Sequence, residues 1–138
     1  MCAWATAERT YEGFPLFLRS PTDVDTPDNR RNFPDLVIIT HTFAKRYPDA
    51  RPEPDYNETL RKLDHVIVTA FDFSLSGVPV LVETFGGKRN YYFRVLTRVD
   101  VAAIGSAIAT SYPNEQISWD VRPKIGWSFL DRYAKDFF

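Results

Sequence analysis

The chain is poor in the residues that staple small folds or build metal centres. Among its 138 residues are one cysteine, Cys2, one methionine and two histidines. A single thiol leaves no intrachain disulfide. A small domain without disulfides points to a reducing compartment, here the cytoplasm. His41 and His65 share no HxH or HxxxH spacing, so no zinc set is predicted. An excess of charge of one sign is also missing: Lys and Arg total 17 against 18 Asp and Glu, a formal net charge of −1. A general nucleic-acid binder draws most of its affinity from neutralised phosphates and carries a basic excess. The balance argues against nucleic acid as a partner, though it allows a local basic patch. No apolar run approaches the roughly 20 residues of a membrane span. The opening "MCAWATAERTYEGF" lacks the basic start and apolar run of a secretory signal. A cytoplasmic protein with no cofactor and no membrane contact is expected.

What is present suits one ordinary core. Hydrophobic residues make up 44% and charged residues 25%, close to the average of a globular domain. One domain is predicted over 1–138, with residues 1–20 as a hairpin extension and 35–138 as the main unit. "WATAERTY" and "FPLFLR" read as a strand pair joined at Glu12-Gly13. Thr26-Pro27-Asp28 can open a short helix, with Thr as cap and Pro in the first turn. "LVIITHTF" (36–43) is a β-branched run that reads as a buried strand. Over 55–72, Tyr56, Leu60, Leu63, Ile67 and Ala70 fall on one helical stripe. Strands follow at 78–85 and 90–96. Val101, Ile104, Ile108 and Tyr112 share a helical face over 100–112. A strand covers 117–122, and a helix capped by Ser128 covers 128–138. The central order, strand, helix, strand, strand, helix, strand, is that of a ferredoxin-like split β-α-β unit. The predicted class is α+β: an antiparallel sheet with helices on one face, extended by the N-terminal hairpin and the C-terminal helix. Pro79 suits an edge for the strand at 78–85.

The stretch "VETFGGKRNYYFRVL" (82–96) contains a Gly-Gly-Lys that resembles a phosphate loop. A Walker-type loop needs a Ser or Thr after the Lys and then a helix. Here Arg89 and Asn90 follow, and then a strand. A hairpin with Gly86-Gly87 at its tip is the better reading, glycine supplying the positive φ of the turn. An even-length loop sets Val82 opposite Tyr91 and Val80 opposite Phe93. An odd one would turn Asn90 and Arg94 into the core. The helix-facing side then carries Val80, Val82, Tyr91, Phe93 and Val95. The other carries Leu81, Glu83, Phe85, Lys88, Asn90, Tyr92 and Arg94, a mixture of rings and charges. Either the C-terminal helix, with Phe129, Tyr133 and Phe137, or the N-terminal hairpin covers this side, or it meets a partner. Aromatic residues and Arg are over-represented where proteins bind each other. Leu81, Glu83, Phe85, Lys88, Tyr92 and Arg94, with Asp120 and Arg122 of the last strand, are the candidate partner-binding residues.

Other chemistry finds little footing. "SLSG" (74–77) follows a helix and precedes a strand, the reverse of a nucleophile elbow. Glu83 and Asp120 could share a sheet face as paired carboxylates, although a Glu83–Arg94 cross-strand ion pair is the simpler reading. The acidic runs at 23–28 and 49–58 lack the central Gly and closing Glu of a calcium loop. "KRNYYFR" interleaves basic and aromatic residues as RNA-recognition strands do, without that motif's glycines.

"ETFGGKRNYYFRV", a helix, then "SYPNEQISWDVRPKIGW" and "FLDRYAKDF" together resemble the bacterial domain-of-unknown-function 695 family over roughly residues 35–138. The resemblance implies the fold and no catalytic residues. It is loosely similar to the regulator of ribonuclease E activity B, an acidic inhibitor that binds a protein, whose strong acidity this chain lacks. Immunity proteins against contact-delivered toxins are of comparable size and fold. The expected function is therefore a non-catalytic cytoplasmic module binding another protein, such as a toxin or a nuclease. The alternatives are a small enzyme using Glu83 or Asp120, a regulator of RNA metabolism, and a homodimer with a structural interface.

Overall fold

A computed structural model describes residues 3–44, 54–71, 76–122 and 127. Six strands form one mixed-order antiparallel sheet: β1 (Trp4–Tyr11), β2 (Phe14–Pro21), β3 (Asp35–Thr42), β4 (Gly77–Phe85), β5 (Lys88–Val95) and β6 (Gln116–Arg122). Their spatial order is β1-β2-β4-β5-β3-β6. Four helices are described: α1 (Pro27–Asn32), α2 (Pro54–Thr59), α3 (Arg61–Val68) and α4 (Val101–Ser111). The chain is thus α+β. No helix among the described residues is long and apolar enough to cross a membrane. The terminal helix expected at 128–138 lies outside the described residues, as do Ser74 and Leu75 of "SLSG".

Local chemistry accounts for the boundaries. Glu12 and Gly13 both have positive φ, 51° and 84°, the twist that a two-residue turn needs between right-twisted strands. Gly86 and Gly87, at 63° and 78°, repeat the device, and Phe85 pairs with Lys88 across it. Thr26 Oγ1 accepts from the Asn29 amide at 3.1 Å, capping α1 behind Pro27. Asp100 caps α4 in the same way through the Ala103 amide at 3.0 Å. The stripe expected over 55–72 is buried at Tyr56, Leu60, Leu63 and Ile67, but the backbone breaks at Leu60 into α2 and α3.

Two features of β4 differ from expectation. Val82 does face Tyr91, but Val80 does not face Phe93. A bulge at Val80 sets Pro79 opposite Phe93 and Leu81 opposite Tyr92. An extra residue in one strand reverses the faces beyond it, so Val80 joins Val78 and Leu81 on the far side from the helices. Nor is β4 an edge along its whole length. β2 pairs with Val82, Glu83 and Thr84, while Pro79 lies beyond that register, where no ladder bond is asked of its nitrogen.

The sheet carries a core on each face. On one, α2, α3 and α4 cover Val37, Ile39, Val82, Tyr91, Phe93 and Val95. The other, expected to be covered by the C-terminal helix or the N-terminal hairpin or to meet a partner, holds a second cluster in which Leu16 and Leu18 of the hairpin join Leu36, Val78, Val80, Leu81 and Tyr92. Val24 and Phe33, which flank α1, and Trp127 close over it, and the Trp127 indole donates to the Phe33 carbonyl at 3.2 Å.

Candidate functional site

The eight residues singled out for partner binding divide sharply. Leu81, Tyr92 and Arg94 are buried in the second core, so they support a surface from beneath and cannot meet a partner directly. Arg94 is the largest side chain sealed there. One of its terminal nitrogens donates to the Pro34 carbonyl, the guanidinium lies 5.5 Å from the Trp127 ring centre, and Asp35 is close enough to favour its charge. Burial pulls its pKa down to about 10 despite Asp35. The expected Glu83–Arg94 pair does not form, because Arg94 lies opposite Val78 and Glu83 opposite Asn90. Glu83 accepts from Asn90 Nδ2 at 2.8 Å and is bonded by the Tyr92 hydroxyl. Asn90 in turn accepts from Thr40 Oγ1 at 2.8 Å, so a polar chain crosses β3, β5 and β4. Burial raises the Glu83 pKa against these bonds.

Asp120 and Arg122 lie on the same face as Glu83, at the β6 edge. They pair with one another at 2.9 Å with about half of each side chain exposed. Two strands, β5 and β3, separate Asp120 from Glu83. At roughly 4.8 Å per strand that is about 14 Å, beyond the ~5–10 Å at which two carboxylates work on one bond. The structure does not bring this pair together.

Phe85 and Lys88 stand instead at an end of the sheet where both two-residue hairpin tips meet. Phe85 is half-buried, and its ring is met edge-on by Tyr11 at 5.8 Å and by Phe14 at 6.4 Å. Tyr11 is 58% exposed and Phe14 41% exposed, and Lys88 beside them is open to solvent. Sequence reasoning did not single out Tyr11 and Phe14. Their signal was available: both flank the Glu12-Gly13 turn and so face each other across the ribbon.

The helix-covered side holds a denser charge cluster. Arg19 grips Asp64 with two nitrogens at 2.6 and 3.2 Å, and the Tyr91 hydroxyl donates to the same carboxylate at 2.7 Å. Arg89 approaches it at 3.7 Å, donates to Thr84 Oγ1 at 2.9 Å and to Asn57 Oδ1 at 3.3 Å, and lies over the Phe43 ring. Burial pushes the Asp64 carboxyl up, but Arg19, Tyr91 and Arg89 outweigh it and hold it below its ordinary value. Burial beside that carboxylate pushes the Tyr91 phenol well up. A cleft of about 230 Å³ opens here, lined by Arg19, Asn57, Leu60, Arg61, Asp64 and Arg89.

His41, expected as a satisfied sheet residue, is fully buried and bonds Glu115 Oε1 through Nε2 at 2.8 Å. The Tyr56 hydroxyl donates to the same oxygen and accepts from the Ala44 amide at 3.0 Å. Burial lowers the His41 pKa against the pull of Glu115, and raises that of Tyr56 to about 12. The three residues tie the loop after α4 to β3 and α2. His65, by contrast, is exposed on α3.

Comparison with protein-family models, with characterised proteins and with solved structures finds no match to the chain.

Proposed function

We propose that this chain is a non-catalytic cytoplasmic module that binds another protein, in the manner of an inhibitor or immunity protein, and that the aromatic end of its sheet makes the contact. The observation that carries the reading is the exposure of Tyr11 and Phe14 around Phe85. Burying an aromatic side chain contributes about 1.5–3 kcal/mol, and such rings dominate interface energetics when a partner desolvates them. The rings are also preorganised. Two tight turns and mutual edge-on packing fix them, so little side-chain entropy remains to be lost on binding. Lys88 at the rim suits a partner with an acidic border. The four strands ordered β6-β3-β5-β4, with α3 and α4 as their crossovers, are read as a ferredoxin-like unit to which β1 and β2 are added. The likeness to the domain-of-unknown-function 695 family belongs to the same proposal.

Co-purification from the native host tests the reading. The unaltered chain should retain a protein in stoichiometric amount, and the Tyr11→Ser/Phe14→Ser variant should lose it while keeping its melting temperature. Equal retention by both chains, or a partner that survives only as a second copy of this chain by light scattering, contradicts it.

A further inference from the structure

The aromatic end leaves the arginine cleft on the opposite face of the sheet unused. Three guanidinium groups line it, those of Arg19, Arg61 and Arg89, against the single carboxylate of Asp64. The arginines are not equivalent. Arg19 is committed to Asp64 by a two-pronged bond, and Tyr91 adds a third donor to that carboxylate. Asp64 is thereby largely neutralised. Arg89 is 13% exposed and held from three sides by Thr84, Asn57 and the Phe43 ring. Its Nη1 stands 3.7 Å from Asp64, too far for a hydrogen bond. Asn57 spends its carbonyl oxygen on Arg89, which directs its amide donors away from that contact. Arg61, on the rim, is 79% exposed and pairs with Glu58, three residues before it, at 3.2 Å. Such exposed pairs are weak and readily exchanged.

We infer that this cleft is a binding site for a doubly charged oxyanion, a phosphate or phosphomonoester group. Arg89 forms its fixed floor, Asn57 adds an amide donor, and Arg61 swings from Glu58 to close on the anion. Arginine is suited to the task because its planar fork presents two parallel donors to a tetrahedral oxyanion. A cleft of about 230 Å³ holds one such group with room for the substituent of an ester. The site is independent of the aromatic end, since successive strand residues such as Lys88 and Arg89 point to opposite faces.

Calorimetric titration at pH 7.5 with inorganic phosphate tests the inference, with acetate and chloride at matched ionic strength as comparison anions. Phosphate should bind saturably, and Arg61→Gln should weaken it about tenfold, the loss of one charge-assisted hydrogen bond. Arg61 is exposed, so that variant keeps the fold, which its melting temperature verifies. Arg89→Lys keeps the charge but loses the fork and should weaken binding by at least as much. Non-saturable heats, equal binding of chloride, or an affinity unchanged in both variants overturns the site. Acetate binding as tightly as phosphate overturns the choice of a doubly charged ligand.

Discussion

The indole of Trp119 on β6 lies directly against Gly105 of α4: a β-carbon built at that glycine would stand 2.3 Å from Trp119 Cε3. Only a residue without a side chain lets the helix approach the sheet this closely. Overpacking costs about 1–3 kcal/mol, while alanine gains back up to about 1 kcal/mol in helix propensity. Gly105→Ala is expected to lower stability by about 1–2 kcal/mol in urea denaturation. Combining it with Trp119→Leu should cost less than the sum of the two, because the clash disappears with the ring. Additive costs would mean that the contact does not hold α4 in place.

Burial separates two groups of residues that looked alike in sequence. Leu81→Ala should cost about 2–4 kcal/mol, since it opens a cavity in the second core. Tyr11→Ser should change stability by less than about 0.5 kcal/mol. Chemical denaturation of the two variants distinguishes a supporting residue from a contact residue. Similar costs for both would count against the described packing of this face.

Asp64 ties β2, α3 and β5 together through Arg19 and Tyr91. Asp64→Asn should lower stability by about 1–3 kcal/mol, the cluster being partly open to solvent. The sign with pH follows from the lowered carboxyl pKa. A carboxylate held below its unfolded value stabilises the fold above about pH 4, and that contribution is lost as the pH falls through the folded value. The wild-type chain should therefore lose more stability than Asp64→Asn between pH 5 and pH 2. Parallel losses would show that Asp64 is not the titrating group.

Buried His41 makes the fold less stable on mild acidification. Its folded pKa lies below the unfolded value near 6.5, so the unfolded chain takes up a proton first as the pH falls. Stability should decline as the pH drops below about 6.5 and level off under the folded value. Replacing it by Gln removes this decline, which denaturation midpoints at pH 7.5 and 5 compare directly. Glu83, whose raised pKa gains stability for the fold on acidification, is common to both chains and cancels.

What the sequence made legible was local. Both glycine turns, the Thr26 cap, the Tyr56–Ile67 stripe and the pairing of Val82 with Tyr91 each rest on neighbours in the chain. The bulge at Val80 was not legible, because Val78, Val80 and Val82 alternate as they would in a regular strand, and Pro79, which suits a bulge as well as an edge, was read as the mark of an edge. The bulge adds Val78 and Val80 to a second apolar cluster, which takes three of the eight supposed contact residues, Leu81, Tyr92 and Arg94, into the core. The arginine cleft was equally hidden. Arg19 and Asp64 are 45 residues apart and meet only because β2 pairs with β4 beside α3. Tyr11 and Phe14 were readable as tip residues, but only the packing of Phe85 shows that the two hairpins end side by side.

The central claim is that the chain meets another protein through Tyr11, Phe14 and Phe85. Hydrogen–deuterium exchange of the captured complex against the free chain tests it most directly. The account predicts new protection concentrated at residues 11–15 and 84–89, with the β6 edge at 116–122 unchanged. Protection at the β6 edge with none at the two hairpin tips would contradict it.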